Sequence, residues 1–457
     1  MALGVILAFG ANLELRTALR RTPMTDLGVF ACAAGAVRSG ENLYTITDWH
    51  GWHYHYPPTL AILFTPLAHP VPTGPPLLAP GVPRTKFNTP WGYRIDSPGK
   101  FYGLDGQNVR FFWIVAVWYV ISIVLICLSA HALACALEGF GLREPPPIEP
   151  GQRRRWWALR TLPLLVCVAS LGTDLSRGQV DVAMLASIAF GLYLATSSRE
   201  FKAGICLSFP ATVKLFPPLL LLYPIWRRRW WMTIGVLAGL ILALVIIPGV
   251  ALGPKRTAEL YRLWVQVLAR PALGQGFDTS RARELTAMGA TDNQSLLAFI
   301  HNWRYHGLPR NQRPPEAAPG DRYAVYVIGA LMLLGIGAVS GVRRRDKPHE
   351  LLIIAGLLIG LTFVVSPIVH NYYYLVLLPL VAALLERGLG DGSSRLKDTK
   401  LLVVLVIFMA TDILARLPVI GSHLRDLGVP LLSMIGMMWA GAMALLKGDG
   451  SAARRPV

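Results

Sequence analysis

The chain is short of charge and short of cysteine, and each shortage excludes a class of protein. Of its 457 residues 15% are charged and 53% hydrophobic, with a mean hydropathy of +0.46, well outside the balance of an ordinary soluble domain. Five cysteines, Cys32, Cys127, Cys135, Cys167 and Cys206, stand at irregular spacing in apolar surroundings with no CxxC pair. A disulfide framework and a thiolate metal site are therefore both disfavoured. Walker A, GxGxxG, HExxH and DxD-like patterns are missing, so nothing points to nucleotide-driven or zincin chemistry, and neither a metal nor a cofactor is expected. No internal repeat is visible.

Acids are scarce too, 26 against 44 Lys and Arg, for a net charge of +18. The cations cluster as RRRWW at 153–157 and again at 227–231, RRR at 343–345, RLKDTK at 395–400 and ARRPV at the C-terminus. Each cluster flanks an apolar run, the pattern that sets orientation in a membrane. No soluble basic domain is left over, so nucleic acid is not an expected partner.

What the chain has in abundance is apolar stretches of spanning length: 108–137, 156–172, 178–197, 229–252, 322–342, 348–366, 371–387, 399–416 and 427–447. The opening MALGVILAFGAN lacks the charged leader of a cleaved signal and reads as a short first helix. Together these make about ten crossings, in one polytopic, all-α unit over residues 1–457. The segment 203–226 is interrupted by Pro210, Lys214, Pro217 and Pro218. Read as a re-entrant pair of half-helices with Lys214 near its apex at mid-depth, it keeps every basic cluster on the cytoplasmic side. The outer face then receives loops 23–107 and 253–321, the short turn TDLSRGQ at 173–179 and the corner SPIVHNYYY at 366–374. Residues 57–68 are too short to span and read as a helix lying in the outer interface, with Pro in its first turn.

The unusual polar residues all collect on that side. Asp26 stands alone before a small-residue helix; it is either an N-cap or a partly desolvated carboxylate able to act as a general base. Lys214 either snorkels to an interface or faces a buried anion. Arg177 with Asp174, Gln179 and Asp181 could simply pin a turn. His370 opens a helix and could donate to a phosphate. TDNQSL at 291–296, with Asn293, is a helix start capped by Asn or Asp or else a polar patch for a hydroxylated ligand. In HYHYPPTL at 53–60 the tyrosines suit an aromatic belt, and His53 and His55 give a weak metal pattern.

Five motifs in order, TDLGVFACAAGAVRSGENLYT with YHYPPTLAILFTPLAHP, SRGQVDVAMLA, AGICLSFPATVKLFPPLLLLYPIWRRRWW, DNQSLLAFI and VSPIVHNYYYLVLLPL, resemble glycosyltransferase family 87. The resemblance implies a GT-C fold and a polyprenyl-phosphate sugar donor, with mannose the sugar of the best-known members and arabinose an open variant. It implies transfer to a lipid or glycan acceptor on the outer face of the cell membrane, with inversion. On that likeness Asp26 is the general base, Gln179 and Lys214 fill the family's GQ and lysine positions, and Tyr56 with Pro57 and Pro58 walls the site. Arg177, His370, His55 and Asn293 join the substrate-binding set. The sequence departs from the family after the SP of 366–367, in its short first helix and in its long 69–107 loop. A transporter or flippase of a lipid-linked or anionic solute, or a non-catalytic scaffold in which Asp26 is only a cap, are the readings from other classes.

Overall fold

In a computed structural model of the protein, residues 2–19, 26–46, 48, 52–69, 106–214, 217–270, 288, 292–309, 312–341, 346–389 and 398–447 are described. Most of the 69–107 loop, the basic clusters 343–345 and 395–397 and the C-terminal one, and residues 271–287 of the 253–321 loop lie outside them. Among the described residues every regular element is helical. In chain order α1 is Ala2–Glu14, α2 Leu27–Ser39, α3 Pro58–Leu63, α4 Gly106–Glu138, α5 Pro150–Val166, α6 Val168–Arg177, α7 Asp181–Thr196 and α8 Glu200–Lys214. Then come α9 Leu222–Trp226, α10 Trp230–Leu252, α11 Pro254–Trp264, α12 Leu296–Arg304, α13 Pro319–Ser340, α14 Pro348–Val365, α15 Leu378–Leu389, α16 Thr399–Leu414, α17 Ile420–Asp426 and α18 Val429–Lys447.

Among the described residues six helices are long and apolar enough to cross a membrane, or seven if α5 and α6 count as one broken span. This is a polytopic membrane protein. Large apolar side chains face outward all round it, among them Val120, Trp231, Leu237, Leu334 and Val406, the cover that lipid requires. Three expected crossings are short: α7 and α16 have 16 residues each, about 24 Å of rise against a hydrocarbon core of about 30 Å, and α1 has 13, continued by a π-helical turn at Leu15–Leu19. The centre of the bundle is α14 with α15 and the 3₁₀ turn Asn371–Leu377 before it, the most deeply covered of the spans. Gly356 permits this pair to touch, because a Cβ there would lie 2.4 Å from that of Leu380.

The expected turn at 173–179 is corrected: 173–177 are helical, and the turn shrinks to Gly178–Val180. Gly178 takes the left-handed conformation (φ 64°), and the N–H of Gln179 returns to the carbonyl of Asp174 at 3.2 Å, the way a glycine closes a helix. Behind it the chain bends by 65° at Cys167. Pro163 stands inside α5, one turn before the bend. The bend carries Arg177 and Gln179 over the end of the bundle.

Helices α8 and α10 run parallel at backbone contact. A Cβ on Gly204 would meet the Met232 carbonyl at 2.1 Å, one on Gly235 the Phe201 carbonyl at 2.1 Å, and one on Gly239 the Ser208 hydroxyl, so three glycines make the approach possible. Parallel neighbours need a return path, and residues 217–229 belong to it. Arg229 comes back to Glu200, Nε to Oε1 at 3.0 Å, and donates to the Ala195 carbonyl at 2.8 Å. Lys214 ends a full 15-residue helix, roughly 20 Å along the axis from Glu200, level with the start of α7. The helix expected over 57–68 is α3 plus a 3₁₀ turn at Thr65–Leu67, with Pro58 at the first position, where a missing N–H costs nothing. Thr59 donates to the Ala243 carbonyl at 2.7 Å, within the π-helical turn of α10 at Leu242–Ile246, whose widened register leaves carbonyls for such partners.

Candidate active site

Six chain segments meet at this end of the bundle: the turn after α1, the start of α2, the end of α6, the start of α7, the end of α8 and the 370–373 corner. Asp26 precedes α2, but its side chain makes no capping hydrogen bond. Instead the carboxylate turns to α6 and α7. Its Oδ2 accepts from Arg177 Nε at 2.9 Å and from Gln179 Nε2, while its backbone N–H donates to the Arg177 carbonyl at 2.6 Å. Among the described residues no hydrogen bond reaches Oδ1. The group is 27% exposed, so one oxygen is anchored and the other opens outward.

Gln179 is held at both ends of its amide. Its Oε1 accepts from Lys214 Nζ at 3.3 Å, and its Nε2 donates to the Tyr372 hydroxyl at 3.0 Å as well as to Asp26. An ammonium can only donate, so the Lys214 contact fixes which end of the amide faces the carboxylate. Lys214 is itself paired with Asp181 at 2.7 Å, and the two side chains are 4% and 1% exposed. Its Nζ also lies 4.1 Å over the Tyr373 ring, a cation–π contact strengthened by the dry setting. Asp174, 1% exposed, has no partner for either carboxylate oxygen among the described residues.

The remaining expected residues divide. His370 stacks on Tyr372 with ring centroids 5.2 Å apart, and its Nδ1 lies 3.3 Å from Asp292 Oδ2. Burial alone would raise the Asp292 carboxyl, but the hydrogen bond and charge of His370, with Arg177 behind, hold it below the ordinary carboxylate range. Tyr56 borders the cluster, within electrostatic reach of Lys214, Tyr373, Asp26 and Asp181. Asn293 is a clasp between segments: Oδ1 accepts from the backbone of Ser295 and Val369, and Nδ2 donates to the Pro367 carbonyl, each at 3.1 Å. The cap of α12 is Ser295, which accepts from Ala298, rather than Asn293 or Asp292. The His55 carbonyl accepts from Trp264 Nε1 at 3.2 Å. The rings of Tyr54 and Tyr56 meet edge to face, with centroids 5.7 Å apart. Among the described residues no three His, Cys, Asp or Glu side chains converge to hold a metal.

Sequence reasoning left Asp181, Tyr372, Tyr373, Asp292 and Arg16 out of the site. Asp181 had a usable signal, an acid two residues after Gln179 in a helix's first turn. Arg16 had none, since it read only as an interruption of an apolar run. Its Nη2 donates to the Ser176 carbonyl, one residue from Arg177.

The fold and site define a membrane-embedded helical bundle with an acid–cation cluster at one end. Residues 54–367 match glycosyltransferase family 87, and the chain belongs to that family of glycosyltransferases. The match includes Tyr56, Arg177, Gln179 and Lys214, but it begins after Asp26 and ends before His370, so Asp26 enters the site on geometry alone. A search of the curated proteins finds no match to the chain.

Proposed function

We propose that the protein transfers a hexose, mannose first, from a polyprenyl-phosphate sugar to a hydroxyl of a lipid or glycan acceptor at the outer face of the membrane, with inversion, on a GT-C scaffold of about ten crossings. The observation that carries the reading is the Asp26 carboxylate, with Oδ2 fixed by Arg177 and Gln179 and Oδ1 open. A base must be rigid and must keep a lone pair for the incoming proton. In the reaction Oδ1 takes the proton of the acceptor hydroxyl, the acceptor oxygen bonds to the anomeric carbon, and the bond from that carbon to the phosphate oxygen breaks. The polyprenyl phosphate departs with the electron pair into a cationic setting.

Sidedness is supported by the placement of the basic residues. Arg155 pairs with Glu386 at the far end of α15, and Arg229 with Glu200 at the far end of α8, both opposite the acid cluster. With Lys and Arg inside, the cluster faces outward. The test is transfer of labelled sugar from polyprenyl-phosphate-mannose to a membrane lipid extract. Asp26→Asn is expected to slow transfer at least about a hundredfold with donor binding retained. Equal transfer by both proteins would refute the assignment.

A further inference from the structure

We infer that the phosphate of the lipid-linked donor is seated by the paired guanidiniums of Arg16 and Arg177, and not by Lys214. This rests on the proposed transferase reading and names the residues that its leaving group would touch.

The site contains several cations, and burial sets Lys214 apart. Lys214 is 4% exposed, ion-paired with Asp181 at 2.7 Å and screened behind Gln179. A phosphate could reach it only by breaking a buried pair, a step that leaves Asp181 unpaired in the interior. His370 lies against Asp292. Arg177 is 16% exposed, about as open as His370, and of these cations it is the one bonded to the 27% exposed Asp26 carboxylate. Beside it, from a segment about 160 residues earlier in the chain, comes Arg16. Its guanidinium is fixed on the Ser176 carbonyl and is close enough to feel the Arg177 charge. Two guanidiniums brought to one turn repel each other, and an anion between them removes the repulsion. Guanidinium is also the group whose flat fork matches phosphate oxygens.

The spacing agrees with in-line chemistry. A guanidinium bonded on one side to Asp26 and on the other to a phosphate holds the two apart by its own width plus two hydrogen bonds, roughly 7 Å. The path from a general base through an attacking oxygen and the anomeric carbon to the leaving oxygen is also roughly 7 Å in a near-attack arrangement. Arg177 therefore serves both partners, and Arg16 takes the remaining phosphate oxygens as their charge rises.

The test is equilibrium binding of farnesyl phosphate and of farnesol to the full-length protein in nanodiscs, for wild type, Arg16→Gln and Arg16→Lys. Wild type should prefer the phosphate. Arg16→Gln should weaken farnesyl phosphate at least tenfold with farnesol unchanged, and Arg16→Lys, which keeps charge but loses the fork, should fall between. Farnesyl phosphate bound equally well by Arg16→Gln and wild type would overturn the assignment while leaving the donor class intact. Equal weakening of both ligands would overturn it too, by making Arg16 structural. A wild type that does not distinguish phosphate from alcohol would defeat both the seat and the donor class.

Discussion

Replacing Lys214 by Met strips Asp181 of the ammonium 2.7 Å from its Oδ1 and leaves a 1% exposed carboxylate in the interior. Removing one partner of a buried pair typically costs about 3–5 kcal/mol. The upper part of that range is expected, because Asp181 Oδ2 has no hydrogen bond among the described residues to share the load. Removing both partners is a different experiment. Lys214→Met with Asp181→Leu replaces the pair by apolar groups, a change that is often neutral, so stability should return to within about 1–2 kcal/mol of wild type. Activity should not return with it. Gln179 Oε1 would no longer be held by Nζ at 3.3 Å, and the amide could turn its oxygen toward Asp26. Losing a hydrogen bond to a charged group costs about 1.5–3 kcal/mol, or about ten- to a hundredfold in rate if the base is misplaced accordingly. Reversible unfolding in mixed micelles and sugar transfer by the same three proteins separate the two effects. A double variant as fast as wild type would show that Lys214 does not act through Gln179. A single variant of unchanged stability would mean that the pair is not the buried, unsupported one described.

Two further outcomes follow from the packing and from the outer corner. Gly235→Val should abolish folding or reduce the yield of folded protein severely, since its Cβ would lie 2.1 Å from the Phe201 carbonyl, whereas Gly436→Ala in α18, with open space around it, should fold normally; detergent-resistant monomer on size exclusion reads both. Asp292 has a depressed folded pKa, so it contributes stability that is present above its unfolded value of about 3.9 and is lost as pH falls through the lower folded value. The acid unfolding midpoint should therefore move to higher pH in Asp292→Asn, and an unchanged midpoint would contradict the pairing.

Much of the site could be read from residue types because several of its members are costly where they stand. Asp26, Lys214 and Arg177 drew attention as charges in apolar or tightly turning sequence, and the structure brings these three together from positions up to 188 residues apart. What the sequence could not supply was partnership. Lys214 read as a cation that snorkels or faces a buried anion, and nothing local shows that the anion is Asp181, reaching it from another helix. Asn293 read as polar lining because backbone acceptors at Pro367 and donors at Val369 leave no trace in composition. Helix positions were legible as apolar runs, but the 65° break at Cys167 was not, since 156–172 reads as one uninterrupted hydrophobic stretch. The parallel run of α8 and α10 depends on Gly204 and Gly235 facing each other, a match between helices that neither one reveals alone.

The charge pattern explains why the base and the phosphate seat can share one arginine in the proposed reaction. Before transfer Asp26 carries one negative charge and the donor's phosphodiester another. Afterwards Asp26 holds the acceptor's proton and is neutral, while the released phosphate carries the second negative charge. The total does not change; it shifts across Arg177, from Asp26 on its Nε side toward the phosphate. A fixed guanidinium between two sites stabilises charge on either, so this shift needs no rearrangement of the protein, the condition under which electrostatic stabilisation is most effective. Gln179, anchored by Lys214 and donating to Asp26 Oδ2, keeps the carboxylate in place while its charge is lost. The sealed Lys214–Asp181 pair then serves the reaction by staying out of it: a second mobile cation at the base would hold the proton-accepting charge on Asp26 and raise the barrier to its neutralisation.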